Sequence, residues 1–297
     1  YTSSGMYSFT YVNGAANGCD SMVVLNLTVN QSDSSHTNIT ACDSYTWGDS
    51  TYTQSGTYSY SGPSVSNNYS MNFDGIDDYV SISNPYSIDY PQITISMVIK
   101  TSTFMSGECL LSKWTNYNQS TARPFTILAD NQNIDFIVNG GCAQVTFDQN
   151  NLIFNEWNHL TFIYDNVNNV IEVYHNGLLF SSNSISCQDM YLSSNNNLEI
   201  GMNSGSAIYG NFHYSGEIDN VAIWNTVLDQ GEIQTYMTCP PNGNESDLLG
   251  YWNFDEGVGS IVYDQTPNGN NGTINGATYS TNVPSQSCAL TTVNGCD

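Results

Sequence analysis

Three carboxylates fall within five residues in the stretch FDGIDDY: Asp74, Asp77 and Asp78. Like charges this close repel unless water or a cation separates them. Calcium is a hard ion that gathers oxygens from carboxylates and backbone carbonyls, so the turn has the chemistry of a calcium ligand set. A plainer role competes. Asp74 and Asp77 can cap the turn through side-chain hydrogen bonds to nearby amides. The spacing is not that of an EF-hand, because no loop with its central Gly and closing Glu is present.

A second group lies in LSKWTNYNQST and just after it. Lys113, Trp114, Asn116, Tyr117 and Arg123 place two of the chain's three cations, two aromatic rings and an amide together. Rings that cover apolar faces, with polar groups that fix orientation, are the ingredients of a ligand rim, so these five are candidate ligand-binding residues. The competing reading is a solvated loop whose Trp packs on the body of the fold. The cysteines are Cys19, Cys42, Cys109, Cys142, Cys187, Cys239, Cys288 and Cys296. None forms a CxxC pair and the four His are scattered, which argues against zinc and for disulfides made in an oxidising compartment. Cys239 and Cys288 bracket the final segment and are expected to bridge. Cys109, Cys142 and Cys187 leave an odd thiol or an unseen pairing.

The composition narrows the partners. Lys and Arg number 3 against 27 Asp and Glu, a formal net charge of −24. Such a chain lacks the cations that nucleic acid or an anionic membrane would need. It contains no apolar run of the roughly 18 residues that a spanning helix requires. Only 10% of residues are charged, so the polarity comes from Asn, Ser, Thr, Gly and Tyr, a mixture that suits strands, turns and secretion. A length of 297 residues suggests about two domains. The start at Tyr1, without an initiator Met, reads as the interior of a longer chain.

The elements that position these residues begin with an interrupted repeat. YTSSGMYSF (1–9) recurs as YTQSGTYSY (52–60), and NGCD at Asn17–Asp20 recurs at Asn294–Asp297. The two offsets differ, so a long segment is inserted into the second copy. The expected organisation is therefore 1–30 as the closing half of a small β repeat and 31–64 as the opening half of a second. A large domain then spans 65–288, and 289–297 returns to the second repeat. Cys42 and Cys296 stand at the ends of the interrupted copy, which favours a Cys42–Cys296 bridge. Cys19–Cys42 is the rival.

Within 69–284 the pattern is that of strands. ITISMVIK (93–100) places Ile93, Ile95, Met97 and Ile99 on one face, and HLTFIYD (159–165) does the same with Leu160, Phe162 and Tyr164. Asn176-Gly177 between apolar runs predicts a hairpin. One helix is predicted over Asp229–Met237, with Asp229 as N-cap and Glu232 completing a capping box. Strands at short, regular spacing predict a sandwich or barrel.

ACDSYTW (41–47) and GCDSMVVLNLTVN (18–30) resemble a tandem repeat of very large cell-surface adhesins of gliding and related bacteria, exported by the type 9 route. The resemblance implies extracellular display on the cell surface and a stalk or filament role, with neighbouring repeats as partners. Asp20-Ser21-Met22 and Asp49-Ser50-Thr51 are similar to the O-glycosylation motif of such bacteria, which marks Ser21 and Ser50.

MNFDGIDDYV (71–80), FNEWNHLTFIYD (154–165) with VYHNG (173–177), and SGEIDNVAIWNTVLDQGEI (215–233) resemble a LamG-like, or pentraxin-like, domain of the concanavalin A-like lectin/glucanase fold. This implies an all-β, antiparallel jelly-roll sandwich, here inserted in the small β-rich repeat module. Trp157, Trp224 and Trp252 then belong to the packed body. The resemblance also implies a structural calcium between the turn and the late-strand Asp. Its expected ligands are Asp74, the Gly75 carbonyl, Asp77 and Asp219. One departure concerns 248–279, which looks like the segment that commonly precedes the FDG motif but here follows the helix. Either the jelly roll is circularly rearranged or an extra pair of strands closes it.

Glucanases of this fold carry E-x-D-x-E on one strand face. Here Glu217-Ile218-Asp219 is followed by Val221 where the last Glu would stand, so a polysaccharide hydrolase is the least favoured reading. The reading that remains is a non-enzymatic adhesin segment, a lectin-like module that binds surface glycans or proteins. A pure spacer or filament subunit is the alternative.

Overall fold

The computed structural model describes residues 5–11, 21–27, 45–47, 50–54, 67–83, 91–103, 105–113, 125–130, 132–138, 141–185, 196–203, 212–286 and 288. The chain divides into two compact units, Tyr1–Tyr60 with Leu290–Asp297, and Ser61–Ala289. In the first unit, β1 (Gly5–Tyr11) pairs antiparallel with β2 (Ser21–Leu27), and β3 (Tyr45–Trp47) pairs with β4 (Ser50–Tyr52). Ser21 and Ser50, the two glycosylation candidates, open β2 and β4. Cys19, Cys42 and Cys296 lie outside the described residues, and the expected Cys42–Cys296 bridge with them.

The second unit is a sandwich. Its first strands are β5 (Ser70–Asp74), β6 (Tyr79–Ile82), β7 (Gln92–Lys100), β8 (Glu108–Lys113), β9 (Phe125–Asp130), β10 (Asn133–Val138) and β11 (Ala143–Asp148). Next come β12 (Asn158–Asp165), β13 (Val170–His175), β14 (Leu178–Ser184), β15 (Leu198–Ile200), β16 (Met202–Asn203), β17 (Phe212–His213) and β18 (Ser215–Trp224). The helix α1 (Gln230–Thr238) is followed by β19 (Leu248–Trp252), β20 (Ile261–Val262), β21 (Gly272–Asn275) and β22 (Thr278–Ser280). One sheet has the order β14-β13-β12-β7-β18-β5-β22, with β19 also paired to β18. The facing sheet has the order β11-β10-β9-β8-β15-β6-β21-β20. Every pairing is antiparallel.

Alternation of side chains builds the core. In β7, Ile93, Ile95, Met97 and Ile99 are fully buried between the sheets, where they meet Phe136, Phe162, Ile218 and Ile223. Each such side chain contributes roughly 1.5–3 kcal/mol by leaving water. The intervening Ser96, Val98 and Lys100 turn to the outer face. That face is covered at one end by α1, where Ile233 and Leu228 pack on Ile163, Ala222 and Trp224. The helix starts where the capping box predicted. The Asp229 carboxylate accepts from Glu232 N (2.8 Å), and Glu232 accepts from Asp229 N (2.8 Å). The hairpin at Asn176-Gly177 has φ of 49° and 74°, the two positive values that a type I′ turn demands.

The late segment finishes both sheets. β22 pairs with β5, and β21 pairs with β6, so it lies beside the first strands of the domain. Cys239 and Cys288 form a disulfide that ties its two ends. Cys142 is also disulfide-bonded, and among the described cysteines Cys109 is free and buried, its pKa pushed up to about 12 by burial. No helix among the described residues is long and apolar enough to cross a membrane.

Candidate functional site

The FDGIDDY turn joins β5 to β6 at the rim of the sandwich. Oxygens of Asp74, Asp77 and Asp78 lie within 4.8 Å of one another. Asp74 Oδ1 accepts from Ile76 N (2.8 Å), the side-chain cap that FDG sequences favour. Asp78 turns inward, and its Oδ2 accepts from Asp74 N (2.9 Å). Burial raises the Asp78 pKa, and the neighbouring Asp74 and Asp77 charges push the same way. Gly75 has φ of +80°, and a Cβ there would stand 2.8 Å from the Ser215 Cβ. Gly276 leaves room for the Asp78 carboxylate, since a Cβ in its place would lie 2.1 Å from Oδ1. Beside the carboxylates, the Tyr79 and His213 rings stand 6.4 Å apart, and His213 Nδ1 donates to the Asp78 carbonyl (3.2 Å). Asp74 and Asp77 are exposed, so the rim offers carboxylates beside an aromatic pair.

Asp219 is elsewhere. In the β5–β18 register Asp74 faces Ser215 and Met71 faces Ile218, so Asp219 lies at the far end of β5. Four residues of strand separate the two positions, about 13 Å. The expected single set of Asp74, Gly75, Asp77 and Asp219 is therefore not assembled. The carboxylates form two centres.

The Asp219 centre is fully buried. Asn67 Nδ2 donates to Asp219 Oδ2 (2.6 Å) and lies 3.4 Å from the Pro284 carbonyl, while Asn220 N donates to Asp219 Oδ1 (2.8 Å). Asn67 Oδ1 is buried without a hydrogen-bond partner. Burial pushes the Asp219 pKa up to about 8, and the Asp255 charge adds to the rise against those hydrogen bonds. Asp255 itself accepts from Asn68 N (2.6 Å) and Tyr69 N (3.1 Å). The Asn67 amide nitrogen faces the Asp219 carboxylate and the Pro284 carbonyl, so a hard cation held by these oxygens would require that amide to turn over and present its unpartnered oxygen. Sequence reasoning missed Asn67 and Pro284 here. They lie 152 residues before Asp219 and 65 after it (284 − 219), and the pairing of β5 with β22 brings them in.

The other candidate group is not a rim as far as it is described. Lys113 ends β8 and is fully buried, with Nζ donating to the Asn196 carbonyl (2.9 Å). Burial lowers its pKa to about 8. The expectation of an exposed ligand-facing Lys113 is corrected accordingly. β8 runs through Lys113, further into LSKWTNYNQST than the polar sequence suggested, and strand position overrides residue type. Trp114, Asn116, Tyr117 and Arg123 lie outside the described residues. Trp224 and Trp252 are buried, while Trp157 is only half-buried.

Glu217 has both oxygens engaged. Ser280 Oγ donates to Oε1 (2.6 Å), and Asn282 Nδ2 donates to Oε2. Val221, where a further carboxylate would complete a glucanase strand, is fully buried.

Residues 74–234, just over half of the chain, match the laminin G-like family model of the concanavalin A-like lectin/glucanases superfamily. The chain belongs to that superfamily. Among solved structures it is similar to a Bacteroides ovatus protein described as carbohydrate-binding, with TM-score 0.60 and 18% identity over 75% of this chain. The match spans 62% of that protein's length. It is also similar to a heptameric SAP-like pentraxin from Limulus polyphemus, with TM-score 0.52 and 16% identity over 76% of this chain and 100% of the pentraxin. No curated protein sequence matches the chain.

Proposed function

We propose that the sandwich is a non-enzymatic, calcium-supported carbohydrate-binding module of an extracellular adhesin-type chain. The observation that carries the reading is the rim where exposed Asp74 and Asp77 stand beside Tyr79 and His213. Carboxylates accept from sugar hydroxyls, and aromatic faces cover the apolar patches of a pyranose. A chain with net charge −24 repels uronates and sialosides at long range, so the favoured glycans are neutral. The structural calcium belongs to the buried centre, held by Asp219, the Asn67 amide oxygen and the Pro284 carbonyl. There it supplies the positive charge that a buried carboxylate lacks. The small β repeats carry the module at the cell surface, and Ser21 and Ser50 are the glycosylation sites assigned to them. Hydrolysis has little support: Glu217 is held by two partners, and Val221 replaces the further acid.

A glycan array with the intact chain, in calcium and in chelator, tests the reading. Neutral-glycan binding that disappears in Asp77→Ala supports it. Silence across the array, with a folded protein, moves the function to a spacer or filament subunit.

A further inference from the structure

The Asn282 carboxamide links the Lys100 amine to the Glu217 carboxylate on the outer face of one sheet. Glu217 faces Lys100 directly across the β18–β7 ladder, and such cross-strand pairs hold their Cβ atoms about 5 Å apart. The Asn282 side chain enters between them from the strand end after β22. Lys100 Nζ donates to Asn282 Oδ1 (3.3 Å), and Asn282 Nδ2 donates to Glu217 Oε2. Ser280 Oγ fixes the other carboxylate oxygen (2.6 Å). The Trp157 ring walls the amine, with Nζ 5.9 Å from its centroid. All five residues are half-buried.

We propose that Lys100 and Asn282 join in an intramolecular amide bond, with Glu217 as the proton shuttle. Polarisation of Oδ1 by the amine activates Cγ, and the leaving nitrogen is the one that Glu217 holds. A water relays a proton from the Lys100 ammonium to the Glu217 carboxylate, which the amine does not touch directly. The neutral amine attacks Asn282 Cγ, which forms the C–N bond and pushes the carbonyl electron pair onto Oδ1. Collapse of that adduct breaks the Cγ–Nδ2 bond, Glu217 returns its proton to Nδ2, and ammonia leaves. The remaining proton on Nζ goes to the released ammonia. No oxidant or cofactor enters the balance. The reaction is driven by fixed proximity, which replaces a bimolecular encounter.

Intact mass and peptide mapping of the purified, folded 297-residue chain test the bond. The expected result is a chain lighter by one ammonia than its sequence with disulfides, and a branched peptide that joins the segments around Lys100 and Asn282. Lys100→Arg and Glu217→Gln are expected to lose the branched peptide completely, with circular dichroism confirming that each is folded. Linear peptides that account for all of Lys100 and Asn282 in the unsubstituted chain overturn the proposal, whatever the variants do. Asn282 found as Asp with Lys100 free also overturns it, since water rather than the amine would then have taken the amide.

Discussion

The turn at Asp74–Asp78 and the centre at Asp219 hold the same functional group in opposite surroundings. At the turn, two of three carboxylates face water, and the third is held by a backbone amide. At Asp219 the carboxylate is buried beside an amide side chain whose oxygen has no partner. Water can dilute repulsion at the first place and not at the second. Charge crowding therefore matters less than burial, and the buried acid is the one that needs a cation more.

The largest separation between the two centres is expected from calcium itself. A ligand bound only to the native state at a hundred times its Kd stabilises by about 2.7 kcal/mol, which for a domain of this size is roughly 5–10 °C in melting temperature. Scanning calorimetry should show that rise in the unsubstituted chain and in Asp77→Ala, and none in Asp219→Asn. A rise that survives in Asp219→Asn would break the comparison.

The pH dependence in chelator comes next. Asp219 moves from 3.8 to about 8 on folding, so its folded pKa is raised. The unfolded chain releases that proton first, and stability falls as pH rises from about 4 towards 8, by up to several kcal/mol. Calcium should flatten this slope. His159 runs the other way. Burial holds it at about 4 against 6.5 unfolded, with Nε2 2.8 Å from Ser96 Oγ. Its contribution is intact above pH 6.5 and is lost as pH falls towards 4, about 3 kcal/mol in all. Melting temperature against pH in His159→Asn should keep the alkaline slope and lose the acid one. The smallest effect is Asp77→Ala on stability, expected within about 0.5 kcal/mol by urea titration because the side chain is exposed.

Local chemistry was readable from the chain. The capping box at Asp229–Glu232, the Asn176-Gly177 hairpin, the inward face of β7 and the Cys239–Cys288 bridge each depend on residues a few positions apart or on simple bracketing. What needed the fold was register. FDGIDDY and Asp219 sit on neighbouring strands, so a shared calcium was a fair expectation, but a four-residue offset along β5 separates them. Lys113 was misplaced for a related reason. β8 ends on it, and no polarity pattern marks where a ladder ends. The segment 248–279 was legible as strands, yet the sheets that β21 and β22 join depended on partners about two hundred residues earlier, in β6 and β5.

The pairing of β5 with β22 has a mechanical consequence. Ser70 and Ser280 are opposite one another, so the sandwich's first and last described strands present their outer ends side by side. Tension applied through those ends would peel the ladder one bond at a time rather than load all its bonds in shear. Reduction of the Cys239–Cys288 disulfide opens this path, because the intact bridge carries tension from Cys288 to Cys239 past the whole 240–287 loop. A covalent link from Asn282 to Lys100 would transfer the load to the centre of the sheet, and a single-molecule pull on the reduced chain should then find Lys100→Arg yielding at lower force.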